Sequence, residues 1–131
     1  MNTKLGKILA EISAGELIDK ITILQIKFSK LINPDKKIEV KKELDALNST
    51  FKEHIPNENL ALNNLFKELK EINLELWNIE EMKRNAEKKQ KFDQDFIELS
   101  RKVYKYNDKR AKLKLDINNL LGSNIKEVKS Y

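Results

Sequence analysis

Apolar residues return at steps of three and four along most of this chain, a spacing that predicts four helices. The first start signal is Ser13-Ala14-Gly15-Glu16. It reads as a capping box, in which serine and glutamate each satisfy an orphan backbone donor. Ile12 before the cap and Leu17 beyond it are placed for a hydrophobic staple. Leu17, Ile18, Ile21, Leu24, Phe28, Leu31 and Ile32 make one apolar stripe, and Ile23 and Ile26 make a second. At about 100° per residue the two lie on different sides, so this helix is expected at the centre of its bundle. Asn33-Pro34 ends it and supplies the next cap and first-turn proline.

The second helix is expected from about Pro34 to His54, with a single seam of Val40, Leu44, Leu47, Phe51 and Ile55. Pro56 breaks it, because the residue before a proline is pushed out of the helical region. Asn57 is placed to cap a third helix, whose seam is Leu62, Leu65, Leu69, Ile72, Leu76 and Ile79. That seam fades near Lys83, and the polar stretch Ala86–Gln90 can hold a turn. The fourth helix is the most regular: Phe92, Phe96, Leu99, Val103, Tyr106, Arg110, Leu113, Ile117 and Leu120 alternate steps of four and three. Gly122 follows where a left-handed cap is wanted. Helices three and four, at roughly 45 Å each, are expected to pair as a long antiparallel hairpin. Residues 1–12 and 124–131 fall outside the helices, as short strands or ordered arms. The fold class is all-α: one domain over 1–131, a bundle of about four helices with non-helical terminal arms.

Composition narrows the chemistry. Three glycines and two prolines in 131 residues leave few turns, which disfavours sandwiches and barrels. With no cysteine and one histidine, His54, thiolate and histidine metal sites and a Ser-His-Asp triad have no residues to be built from. No metal and no cofactor are expected. No apolar run approaches the ~18 residues of a membrane span. Near the N-terminus, Ile8-Leu9-Ala10 stops at Glu11, too short for a signal-peptide core. A cytoplasmic location is expected.

The net charge is +5, and 23 of the 26 basic residues are lysine. Phosphate and base readers lean on the bidentate fork of arginine, so a solvated lysine surface is the first reading. Arg101, Lys102, Lys105, Lys109 and Lys112 nevertheless share about a third of the helical wheel, as in a non-specific polyanion binder. No aromatic residue interleaves the stripe, and nucleic acid ranks last among the partners.

The most informative position is Arg110, the one charged residue in the fourth seam. A buried guanidinium is costly unless acceptors satisfy it. Either it forms a structural ion pair that fixes helix register, or it lines a pocket for a carboxylate or phosphate, or it snorkels to solvent. Asn107 and Lys114 border the same seam, with Asp108 beside them, and Asp19 is a candidate partner on the side of Ile23 and Ile26. In the third helix Trp77, Glu80, Glu81, Arg84 and Glu87 recur along one side. Such a run is either a network of ion pairs or a carboxylate pair beside tryptophan. No catalytic residue is assigned. The candidate ligand-binding set is Arg110, Asn107, Asp108, Lys114, Asp19, Trp77, Glu80 and Arg84.

The block Ile12-Ser-Ala-Gly-Glu-Leu-Ile-Asp-Lys-Ile-Thr-Ile-Leu24 closely resembles the opening of an uncharacterised bacterial family, a domain of unknown function of about this length. Leu76-Trp-Asn-Ile-Glu80, Phe92-Asp-Gln-Asp-Phe-Ile97, Tyr104-Lys-Tyr-Asn-Asp-Lys-Arg-Ala111 and Glu127-Val-Lys-Ser-Tyr131 resemble its other blocks. The resemblance carries no activity. It implies an accessory role beside glycosyltransferase-like proteins of surface-polysaccharide pathways. Glu16 to Leu24 also looks superficially like the first helix of all-helical chorismate mutases, but those hold a dicarboxylate with several arginines and this helix has none.

The expected function is a non-catalytic accessory or protein-interaction module, with a protein partner or self-association. The rival is a small-anion binder or enzyme centred on Arg110, for a carboxylate or sugar phosphate. A nucleic-acid binder is third.

Overall fold

The computed structural model describes residues 4–55 and 59–130. It holds four helices: α1 (Ala14–Lys30), α2 (Pro34–His54), α3 (Leu60–Lys88) and α4 (Gln94–Leu121). Residues 4–12 and 124–130 carry neither helix nor strand. No helix among the described residues is long and apolar enough to cross a membrane.

Local signals start and stop each helix. The Ser13 hydroxyl accepts from the Glu16 backbone N–H at 3.1 Å. The reciprocal half of the expected capping box is replaced, because the Glu16 carboxylate turns to Lys114 of α4. Ile12 stays exposed, so the core rather than the expected staple covers Leu17. Asn33 caps α2, with Pro34 in its first turn. Asn57, expected to cap α3, lies outside the described residues; Asn59 is the cap and accepts from the Leu62 N–H at 3.1 Å. The turn between α3 and α4 sits slightly later than its expected span, with Gln90 at a left-handed φ of 53°. Asp93 then caps α4, which leaves Phe92 ahead of the helix rather than inside it. Its ring still meets Phe96 edge-on at 5.2 Å. Gly122 closes α4 at φ 65°, as expected.

The two apolar sides of α1 place it at the centre, packed on α2, α3 and α4. Leu17, Ile18 and Ile21 meet Leu62 and Leu69 of α3, Ile117 of α4 and Ile55 after α2. The α2 helix has one apolar face, and none of its residues is fully buried. Leu44, Leu47 and Phe51 cover α1 from outside, and Phe51 meets Phe66 of α3 edge-on at 6.5 Å. The α3–α4 hairpin is the spine. At 1.5 Å per residue α1 covers only about 25 Å of it. Along the hairpin Met82, Ile97 and Tyr104 stand exposed.

Candidate functional site: an ion-pair network beneath an apolar cleft

The amino end of α1 is pinned to α4 by backbone contacts. The Gly15 N–H donates to Asn118 Oδ1 at 2.6 Å and the Ala14 N–H to Ser123 Oγ at 3.1 Å. Three of the four orphan donors that any helix start leaves open are thus held by side chains, counting Ser13 on Glu16. A Cβ at position 15 would collide with the Lys114 carbonyl oxygen, so only glycine lets the helices approach this closely. That approach brings Glu16 and Asp19 against α4.

Asp19 is fully buried, at 0% exposure. Arg110 holds it side-on: Nε donates to Oδ1 at 2.9 Å and Nη2 to Oδ2 at 2.5 Å. Asn73 of α3 adds a donor from Nδ2 to Asp19 Oδ1 at 2.9 Å, and the same group reaches Thr22 Oγ1 at 2.8 Å. Thr22 in turn donates to the Asp19 carbonyl at 2.8 Å. One carboxylate therefore ties three helices together. Such a bidentate, charge-assisted pair with extra donors is the geometry that offsets burial.

Lys114 is the second cation. Its Nζ lies 2.7 Å from Glu16, 3.0 Å from Glu127 of the C-terminal arm and 3.8 Å from Asp19. The surface lysines Lys20 and Lys129 approach Glu16 and Glu127 from solvent. The hydrogen bond to Asp19 raises the Arg110 pKa against the opposing effect of burial. Burial alone would lower Lys114, but hydrogen bonds to Glu16 and Glu127 and the charge of Asp19 outweigh it, and its pKa is raised. The bond from Lys114 holds Glu127 below the usual carboxylate value. Arg110 is paired with Asp19, and Lys114 with Glu16 and Glu127, with Asp19 3.8 Å away.

Beside the network a cleft of about 240 Å³ opens between α1 and α3. Ile23 and Ile26 form one wall and Leu76 and Trp77 the other, with Asn73 and Arg110 also lining it. Glu80, Glu81 and Arg84 line it too and are exposed to solvent. Among the described residues these three form no ion pair. With Arg110 matched by Asp19, the cleft carries one acidic charge more than it has cations.

The model of a family of unknown function, DUF6165, matches residues 8–131. The chain belongs to this family. No curated protein and no solved structure matches it. The match takes in the ion-pair network and the cleft, and all five blocks that carried the resemblance.

The candidate residues therefore divide. Arg110, Asp19 and Lys114 come together, and Asn107 joins them through a long 3.4 Å contact from Arg110 Nη1. Trp77, Glu80 and Arg84 join Arg110 at the cleft. Asp108 is exposed and belongs to neither group. Glu16, Thr22, Asn73, Gly15, Asn118 and Glu127 were not singled out as site residues. Only Glu16 and Gly15 carried a signal, in a capping motif that concealed their second role. The basic stripe Arg101, Lys102, Lys105, Lys109 and Lys112 is exposed, as expected. Part of it is matched locally: Arg101 lies 3.7 Å from Glu98 and Lys112 3.1 Å from Asp116. Contrary to the expectation of a stripe without aromatics, Lys109 sits over the Tyr106 ring at 5.0 Å.

Proposed function

We propose that this DUF6165 chain is a non-catalytic interaction module whose docking surface is the α1–α3 cleft. The observation that carries the reading is the closed Asp19–Arg110 pair. An arginine whose Nε and Nη2 are both spent on a buried carboxylate is a floor for the cleft, not a free anion receptor. What the cleft offers is apolar surface from Ile23, Ile26, Leu76 and Trp77, with carboxylates at its edge. Its natural occupant is an apolar protein segment flanked by basic residues. An accessory role beside glycosyltransferase-like proteins, which the resemblance implies, is a role of this kind.

Trp77 is the only tryptophan in the chain, so its emission reports occupancy of the cleft. Lysine-flanked peptides rich in leucine and isoleucine shift that emission to the blue and raise Tm, because binding to the folded state alone stabilises it. Citrate, inorganic phosphate and glucose 1-phosphate leave Tm unchanged. A rise in Tm with any of these anions, lost in Arg110→Gln, would overturn the reading in favour of an anion site.

A further inference from the structure

The same chain carries both an open cleft and an uncovered apolar arm. Leu5, Ile8 and Leu9 are 82%, 81% and 89% exposed. Large apolar side chains grouped on one short segment mark an interaction surface. In its own chain the arm runs beside α2, where Lys7, Ile8 and Leu9 border a shallow depression with Ala46, Leu47 and Thr50. That contact leaves its apolar side chains in water. The cleft, between α1 and α3, is left open.

We infer that the occupant of the cleft is the N-terminal arm of a second copy of this chain, in a symmetric dimer that exchanges arms. The inference rests on the cleft being a docking surface and names what docks there. Two matches carry it. The arm's exposed Leu5, Ile8 and Leu9 answer the half-buried Ile23, Leu76 and Trp77 of the cleft, whose remaining apolar lining, Ile26, is already buried. The arm's Lys4 and Lys7 answer Glu80 and Glu81, which outnumber Arg84, the cleft's one cation not matched by Asp19. Residues 4–12, when extended, span roughly 30 Å, enough to leave the amino end of α1 and cross to a neighbour. A two-fold arrangement places each arm in the other's cleft, so the two contacts reinforce each other. Exchanged segments of this kind are a low-cost route to dimers, because both surfaces already exist in one chain.

The test uses the full chain and two readouts, sedimentation and Trp77 emission, from about 1 to 100 µM, a range that brackets micromolar association. The expected result is a monomer–dimer equilibrium, with emission moving to the blue as dimer forms. Ile8→Asp with Leu9→Asp abolishes both changes. Lys4→Glu with Lys7→Glu weakens association at least tenfold, as does Glu80→Lys with Glu81→Lys, and mixing these two charge-reversed chains restores complementary charge at both contacts, one reversed and one native. All six positions are exposed, so circular dichroism stays that of the parent. A chain that remains monomeric throughout, or a dimer indifferent to the arm substitutions, overturns the inference. A synthetic peptide of residues 4–11, added to the Ile8→Asp, Leu9→Asp chain, separates the two levels. If it shifts Trp77 emission while the parent chain is monomeric, the second copy is wrong and the docking cleft stands. If it does not, and no dimer forms, both fall.

Discussion

Arg110 of α4 and Asp19 of α1, 91 positions apart, are joined side-on by two hydrogen bonds that engage both carboxylate oxygens. Asp19 is sealed from solvent, so whatever removes its arginine leaves a buried negative charge. Arg110→Leu is expected to destabilise by about 3–5 kcal/mol, read from a urea denaturation midpoint. Adding Asp19→Asn, which removes the stranded charge, recovers most of the loss. A single variant within about 0.5 kcal/mol of the parent would mean that Arg110 merely reaches solvent.

Gly15→Ala tests the close approach of α1 to α4. The added methyl meets the Lys114 carbonyl, which is backbone and cannot swing aside, and Asn118 Oδ1 at 2.9 Å. The expected cost is roughly 1–3 kcal/mol, as for other overpacked positions. Gly122→Ala meets no neighbour but carries a φ of 65°, and is expected to cost about 1 kcal/mol from backbone strain alone. Gly6→Ala meets nothing within 4 Å and is expected to be neutral. Thermal midpoints of the three variants should fall in that order.

Asn73→Leu removes the one donor shared by Asp19 and Thr22. The leucine is apolar and of similar volume, so the loss isolates the hydrogen bonds rather than packing. A cost of about 1–3 kcal/mol is expected, the range for leaving a buried acceptor short of a partner. The cost should shrink when Asp19→Asn is already present, a coupling measured by a double-mutant cycle.

Glu127 gives the C-terminal arm an acid-sensitive attachment. Its folded pKa is lowered by the hydrogen bond from Lys114, so the bond stabilises above the ordinary carboxylate value of 4.5. That stability is lost as pH falls through the lower folded value. Glu127 is about two-fifths exposed, and solvent screening holds the effect to under about 1 kcal/mol. The difference in Tm between the parent and Glu127→Gln should therefore be present at neutral pH and vanish in acid. Lys114, whose pKa is raised, works in the opposite direction: its contribution holds below the ordinary value of 10.5 and fades as pH climbs through the folded one.

What the sequence determined by itself was whatever depends on near neighbours along the chain. The seams of α3 and α4, the caps at Ser13 and Asn33, Pro34 in a first turn and the Gly122 stop are all set within a few residues, because helical periodicity and capping are local. The central place of α1 was legible too, since two apolar stripes on one helix need packing on two sides. Several details slipped where local signals compete: Asn59 is the cap of α3, Ile12 makes no staple, Phe92 falls ahead of α4, and Glu16 left its own helix for Lys114. The site was legible only in part. A lone arginine in an apolar seam announced that a partner must exist, and Asp19 could be named from its side of α1. Asn73, Thr22, Asn118 and Glu127 could not be, because each acquires its role from a helix or arm many residues away. Tertiary structure decided the rest: it drew Gly15 against the Lys114 carbonyl, buried Asp19, and set Arg110 both against that carboxylate and along the α1–α3 cleft.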